Sequence, residues 1–181
     1  MFDDLFKKSG ESISSSGSIF ESEYYSKKSG EDFDDVVEMI VPPTKPMKVE
    51  SDKRLVVVID DDFSTTDLMK IYLQREYEYV AFGNPKEAIF YLNKRVPDLI
   101  FLDCYMSVIN SKRVVEILRS YSEFANVPIY LLAEPDEIGA MNAKIAKEGY
   151  LGISGMVTRP VARGELQKIL DKEFGSANEN S

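Results

Sequence analysis

Three consecutive aspartates, Asp60, Asp61 and Asp62, follow the apolar run Leu55-Val56-Val57-Val58-Ile59, and a fourth, Asp103, closes the run Leu99-Ile100-Phe101-Leu102. Carboxylates brought together at the ends of two buried strands repel one another and raise each other's pKa unless a cation lies between them. An oxygen-only site with open positions suits Mg²⁺. An aspartate beside such an ion is a competent nucleophile toward a phosphoryl group, because the metal neutralises the incoming oxygens while the carboxylate attacks. The bland alternative is that these acids simply cap strand ends in water.

Whether the acids meet depends on the elements that carry them. From residue 54 onward, short apolar runs alternate with amphipathic stretches, the signature of a parallel sheet covered by helices on both faces. The runs predict strands at Leu55 to Asp60, Tyr79 to Phe82, Leu99 to Asp103, Ile129 to Leu132 and Gly155 to Thr158. Helices are expected over about 64–76, 85–94, 110–121, 136–149 and 162–174. Leu68, Ile71, Tyr72 and Tyr77 are expected to turn the first helix toward the sheet, with Ser64 as its cap. Asn84-Pro85 is a cap followed by proline at the first helical position, a start signal for the second. The expected fold is an α/β doubly wound sheet of five parallel strands in the flavodoxin-like order 2-1-3-4-5. In that order the first and third strands are neighbours, and the ligand site lies at the carboxyl ends of the strands.

At this point the chain resembles the response-regulator receiver family over residues 54–174. The resemblance is carried by Val58-Ile59-Asp60-Asp61-Asp62, by Tyr77-Glu78-Tyr79-Val80 with Asn84 and Glu87-Ala88, by Pro97-Asp98-Leu99-Ile100-Phe101-Leu102-Asp103 with Met106, and by Gly155-Met156-Val157-Thr158-Arg159-Pro160. It implies that Asp60 and Asp61 are the metal-binding acid pair, that Asp103 is the phosphoacceptor, and that Mg²⁺ is the cofactor. Asp62 is then a spare acid. Tyr105, two residues past the acceptor, falls where the family uses a backbone carbonyl as a further metal ligand.

Several positions depart from the family. The Ser or Thr that ends the fourth strand is Ala133, which removes a hydroxyl contact to the phosphoryl group worth roughly 0.5–3 kcal/mol. The family's lysine is Arg159, ahead of Pro160, where the resemblance implies a cis peptide bond. Arginine keeps the charge and can grip two phosphoryl oxygens, but its longer fork can instead be tied to Asp103 or Glu134. The aromatic switch of the fifth strand is Met156, and the proline after Met106 is Ser107. Between Ala133 and Arg159 the chain is longer than the family pattern by about one helical turn, which bears on dimerisation by the common mode. Glu134-Pro135-Asp136-Glu137 adds acid here, and a helix-dipole role explains it as well as a functional one.

The remaining composition narrows the function classes. With 181 residues, 44% of them hydrophobic, the chain has material for one sizeable core and a tail. A net charge of −9 disfavours nucleic acid and anionic membranes as partners. The single Cys104 and the lack of histidine remove an internal disulfide, zinc sites and histidine acid–base chemistry. No signal peptide or membrane-length apolar run is visible, and a cytoplasmic setting is expected. Residues 1–52 form a Ser-rich, acidic tail with Pro42, Pro43 and Pro46 as a linker; residues 53–174 form the domain, and 175–181 a frayed terminus. The tail repeats Lys-Lys-Ser-Gly-Glu at Lys7 and Lys27 and Phe-Asp-Asp at Phe2 and Phe33, and Val36 to Val41 is long enough only for a short element.

The leading expectation is therefore an atypical receiver, not an enzyme in its own right, that takes a phosphoryl group on Asp103 from a histidine kinase or phosphotransfer protein and signals by protein contact. A pseudo-receiver that serves as a phosphorylation-independent scaffold is the alternative. A third is an aspartate-nucleophile phosphohydrolase, because Asp60-Asp61-Asp62-Phe63-Ser64 fits an Asp-x-Asp-x-Ser/Thr pattern, with Asp60 as nucleophile and Asp62 as acid–base. The cap insertion and later acidic pair that such an enzyme needs are not visible.

Overall fold

The computed structural model describes residues 47–48, 51–106, 110–148 and 152–175. The tail repeats, the run at 36–41, Pro42, Pro43, Pro46, Ser107 and the terminus beyond Gly175 lie outside the described residues. The strands are β1 (Leu55–Ile59), β2 (Glu78–Phe82), β3 (Leu99–Asp103), β4 (Ile129–Ala133) and β5 (Gly155–Thr158). The helices are α1 (Phe63–Leu73), α2 (Pro85–Leu92), α3 (Ser111–Arg119), α4 (Ile138–Glu148) and α5 (Arg163–Phe174), with one 3₁₀ turn at Ser122–Phe124. All strands pair in parallel, in the order β2-β1-β3-β4-β5.

The residues explain this arrangement. Every residue of β1, β3 and β4 is buried, as strands flanked by neighbours and covered on both faces must be, whereas the edge strands β2 and β5 are mostly half-buried. Right-handed crossovers in this order put α1 and α5 on one face and α2, α3 and α4 on the other. On the first face, Val56, Val58, Leu99, Phe101, Tyr130, Leu132 and Val157 pack with Met69 and Leu73 of α1 and with Leu166, Ile169 and Leu170 of α5. Each fully buried aliphatic side chain contributes about 1.5–3 kcal/mol there.

Helix α1 meets its expectation in part: Tyr72 and Tyr77 pack against the core, but the cap and the exposed Ile71 depart from it. Asp62, not Ser64, is its cap: the Asp62 backbone is extended (φ −84°, ψ 109°), and its side chain accepts the Ser64 N–H at 2.9 Å. The buried stripe is Thr65, Thr66, Met69 and Leu73, while Ile71 is 65% exposed. The two threonines, polar by type, present enough apolar surface to set the phase of the helix. Tyr77 lies beyond the helix and packs against Phe174, ring centroids 5.5 Å apart. The second cap is as expected, with the Asn84 side chain accepting the Lys86 N–H at 2.9 Å.

Contacts of Asp98, Met47 and Arg119 pin the loops at the amino end of the sheet. Asp98 accepts from the Leu55 N–H at 2.8 Å, from Lys48 at 2.7 Å and from Arg54 at 3.1 Å. Met47 forms a parallel bridge with Arg95, so residues 47 and 48, expected to belong to the tail, touch the domain. Arg119, at the end of α3, donates to the backbone carbonyls of Phe124, Val127 and Gly152 and thereby holds the stretch before β5.

Candidate functional site

Four strand ends converge at the carboxyl edge of the sheet. Asp60 follows β1 directly, and its amide still pairs with the Phe82 carbonyl of β2 at 3.0 Å. Asp103 is the last residue of β3, in register with Leu132 of β4. Ala133 ends β4, and the amide of Arg159, one residue past β5, donates to the Ala133 carbonyl at 2.8 Å. Because β1 and β3 are adjacent, ligand atoms of Asp60, Asp61 and Asp103 all lie within 4.8 Å of one another.

The environments of the three acids differ. Asp60 and Asp103 are each 1% exposed, whereas Asp61 is exposed. Burial, with the repulsion of Asp103 added, pushes Asp60 up to about 6, against a hydrogen bond from the Asp62 amide at 2.8 Å and the charge of Arg159. Burial likewise raises Asp103, opposed by Arg159 and by the Tyr105 amide. Among the described residues, the buried Oδ1 of Asp103 has no hydrogen-bond partner. A buried acceptor left unpaired costs about 1–3 kcal/mol, more when charged, so this atom is a place for a cation or a donor to bind.

Arg159 faces all of this. The Arg159-Pro160 bond is cis, as the resemblance implied. The guanidinium Nη1 lies 3.3 Å from Asp60 Oδ2, Nη2 lies 3.4 Å from Asp103 Oδ1, and Nε lies 3.1 Å from Glu134 Oε1. The side chain is 11% exposed. The sequence offered Asp103 or Glu134 as partners of Arg159; the fold supplies both, and adds Asp60. Glu134 therefore does more than complement a helix dipole. The α4 helix starts only at Ile138, and Glu134 sits in the turn before it, its amide capped by Glu137 Oε2 at 2.9 Å.

The other predicted positions are placed as follows. Ala133 is wholly buried and offers no hydroxyl. Tyr105 lies in the turn after β3, with its side chain 47% exposed. Met156 is half-buried in β5, in register with Leu131. Asp62 is occupied as a helix cap and also accepts from the Thr65 hydroxyl at 3.0 Å; these bonds hold its carboxyl below the usual range. Sequence inspection missed Ser111, whose buried hydroxyl donates to the Cys104 carbonyl at 3.0 Å and ties the start of α3 to the end of β3. Burial pushes the Cys104 thiol up to about 12, so it is inert.

Comparison with known proteins fits this geometry. The family model described as the response regulator receiver domain matches residues 56–171. The chain belongs to the response-regulator receiver family. This receiver is 30% identical over 140 residues to the hybrid signal transduction histidine kinase D of Dictyostelium discoideum, covering 70% of the chain and 9% of that protein. It is 25% identical over 119 residues to the sensor histidine kinase TmoS of Ectopseudomonas mendocina, covering 65% of the chain and 12% of that protein. The receiver thus spans only about a tenth of these relatives. Among solved structures it is similar to the receiver domain of a sensor histidine kinase from Pseudomonas aeruginosa, solved with a magnesium ion coordinated in the active-site cleft (TM-score 0.58, 21% identity, 68% of this chain and 99% of that one). It is also similar to a chemotaxis response regulator of Vibrio cholerae (TM-score 0.57, 24% identity, 67% and 99%). At these identities the structures speak to the fold. The family and its relatives place the chain in two-component signalling as a receiver module. Among the described residues no helix is long and apolar enough to cross a membrane.

Proposed function

We propose that this receiver takes a phosphoryl group on Asp103 from a histidine kinase or phosphotransfer protein and passes the signal on by protein contact. The observation that carries the reading is the unpartnered, buried Oδ1 of Asp103 within a group of three carboxylates whose ligand atoms lie within 4.8 Å. That donor set, all oxygen and partly open, fits Mg²⁺, with Asp60, Asp61, Asp103 and the Tyr105 backbone carbonyl as the proposed ligands. Bound Mg²⁺ supplies charge neutralisation for the oxygens of the incoming group. Asp103 contributes the carboxylate oxygen that bonds to phosphorus as the bond to the donor's nitrogen breaks; in the metal-free protein the two Nη groups of Arg159 face Asp60 and Asp103.

Net charge of −9 supports partners that are neither nucleic acid nor an anionic membrane, and the single Cys104 fits a cytoplasmic setting. A phosphorylation-independent scaffold is the second reading, favoured by Ala133 and by the three acids already on Arg159. The phosphohydrolase reading loses its acid–base residue, because Asp62 is bonded into the α1 cap. Incubation with acetyl phosphate, read by phosphate-affinity electrophoresis with and without a Mg²⁺ chelator, separates these functions. A retarded band that needs Mg²⁺ supports the receiver chemistry; no band in either condition supports the scaffold; steady phosphate release without a band supports hydrolysis.

A further inference from the structure

Arg159 has more anionic partners than it can serve. Its Nη atoms stand 3.3–3.4 Å from Asp60 and Asp103, long for charge-assisted hydrogen bonds. Its Nε is buried and makes no aligned hydrogen bond, although Glu134 Oε1 is only 3.1 Å away. Nε already lies within hydrogen-bond distance of that oxygen, so alignment is what the bond lacks. The same Asp60 and Asp103 oxygens are the ones a divalent cation needs, and a second cation among them repels the guanidinium. Among the described residues, Glu134 is the one carboxylate paired with the guanidinium that the cation does not use, so the turn before α4 is the side on which the displaced charge is best received.

We propose that Glu134 is a positioning residue for Arg159: when Asp60 and Asp103 take a divalent cation, the guanidinium leaves them and seats on Glu134. The inference rests on the receiver reading of the site. In the metal-free protein Arg159 serves as the built-in counter-ion of the buried acids; in the loaded protein it is parked at the start of the β4–α4 turn, next to Ala133. Glu134 thereby lowers the energetic cost of exchanging one cation for the other, and it links metal loading to the turn that in this chain has no hydroxyl to move it.

The test is a double-mutant cycle on Mg²⁺ binding, measured by titration calorimetry on the full chain. Glu134→Gln should weaken Mg²⁺ binding by about three- to fivefold, the scale of a partly exposed ion pair. In an Arg159→Ala background the same substitution should change affinity by less than about 1.5-fold. An equal loss in both backgrounds means that Glu134 acts only through its field, and no loss in the first means that it does not receive Arg159; either result overturns the proposal. Should Arg159→Ala fail to fold, the Arg159 Nε–H resonance decides: Mg²⁺ should move it downfield in wild type and leave it in place in Glu134→Gln, and equal movement in both overturns the proposal. A wild-type chain that binds no Mg²⁺ overturns the site reading as a whole, a result distinct from binding that ignores Glu134.

Discussion

Nη2 of Arg159 stands 3.4 Å from Oδ1 of Asp103, near enough to neutralise it, yet that oxygen makes no hydrogen bond among the described residues. The pair is electrostatically engaged and geometrically unfinished.

Removing the guanidinium should unbalance the buried acids. Arg159→Ala leaves Asp60 and Asp103, both 1% exposed, without their shared cation. The expected loss in urea-unfolding free energy at neutral pH without metal is about 3–5 kcal/mol, the scale of a broken buried ion pair. Saturating Mg²⁺ should restore most of it. A variant as stable as wild type in both conditions would show that the acids are not held charged.

The pH dependence carries a definite sign. Asp60 is raised from 3.8 to about 6, chiefly by burial. A carboxyl with a raised folded pKa holds its proton more tightly in the folded state, so its stabilising contribution is complete below its unfolded value and is lost as pH rises through about 6. Without metal, Asp60→Asn should therefore gain on wild type by about 1–3 kcal/mol between acid and neutral pH, measured by urea unfolding across that range. A difference that stays constant with pH would contradict the shift.

Restoring the missing hydroxyl tests what Ala133 removes. Ala133 is wholly buried at the end of β4, and its carbonyl already binds the Arg159 amide. Ala133→Ser should tighten binding of beryllium trifluoride, a phosphoryl mimic, by about two- to tenfold through one added hydrogen bond. Fluorine resonances of the bound mimic provide the measurement, and unchanged affinity would place that slot out of reach of the phosphoryl group.

Far from the acids, Gly152 has φ +94°, and a Cβ there would meet Arg119 Nε at 2.5 Å. Gly152→Ala should destabilise the fold by about 1–3 kcal/mol through backbone strain and loss of the Arg119 anchor. Mg²⁺ affinity at the distant site should be retained in the folded fraction. Thermal melts paired with calorimetry check both parts.

Much of this was legible in the sequence, for physical reasons. Fully apolar runs such as Leu55 to Ile59 and Leu99 to Leu102 announce central parallel strands, and strand ends set where Asp60, Asp61, Asp103 and Arg159 meet. Asn84-Pro85 announced its helix because both residues act locally. Of the residues expected to turn α1 toward the sheet, Tyr72 and Tyr77 do pack against the core, whereas Ile71 is exposed and the buried positions include Thr65 and Thr66, whose polar type conceals them, and Asp62 outcompeted Ser64 for the cap. The Asp60–Arg159 pair was not visible because it joins residues nearly a hundred positions apart through the register of four strands. Arg119 and Gly152 escaped notice for the same reason: their contact depends on how a loop closes, not on any local pattern.

The central claim concerns Asp103 itself. Intact-mass spectrometry of the full chain after incubation with acetyl phosphate and Mg²⁺, run beside Asp103→Asn, addresses it most directly. The predicted result is a gain of one phosphoryl mass in wild type, absent without Mg²⁺ and absent in Asp103→Asn. No gain in wild type, or an equal gain in the variant, would contradict the assignment of Asp103 as the acceptor.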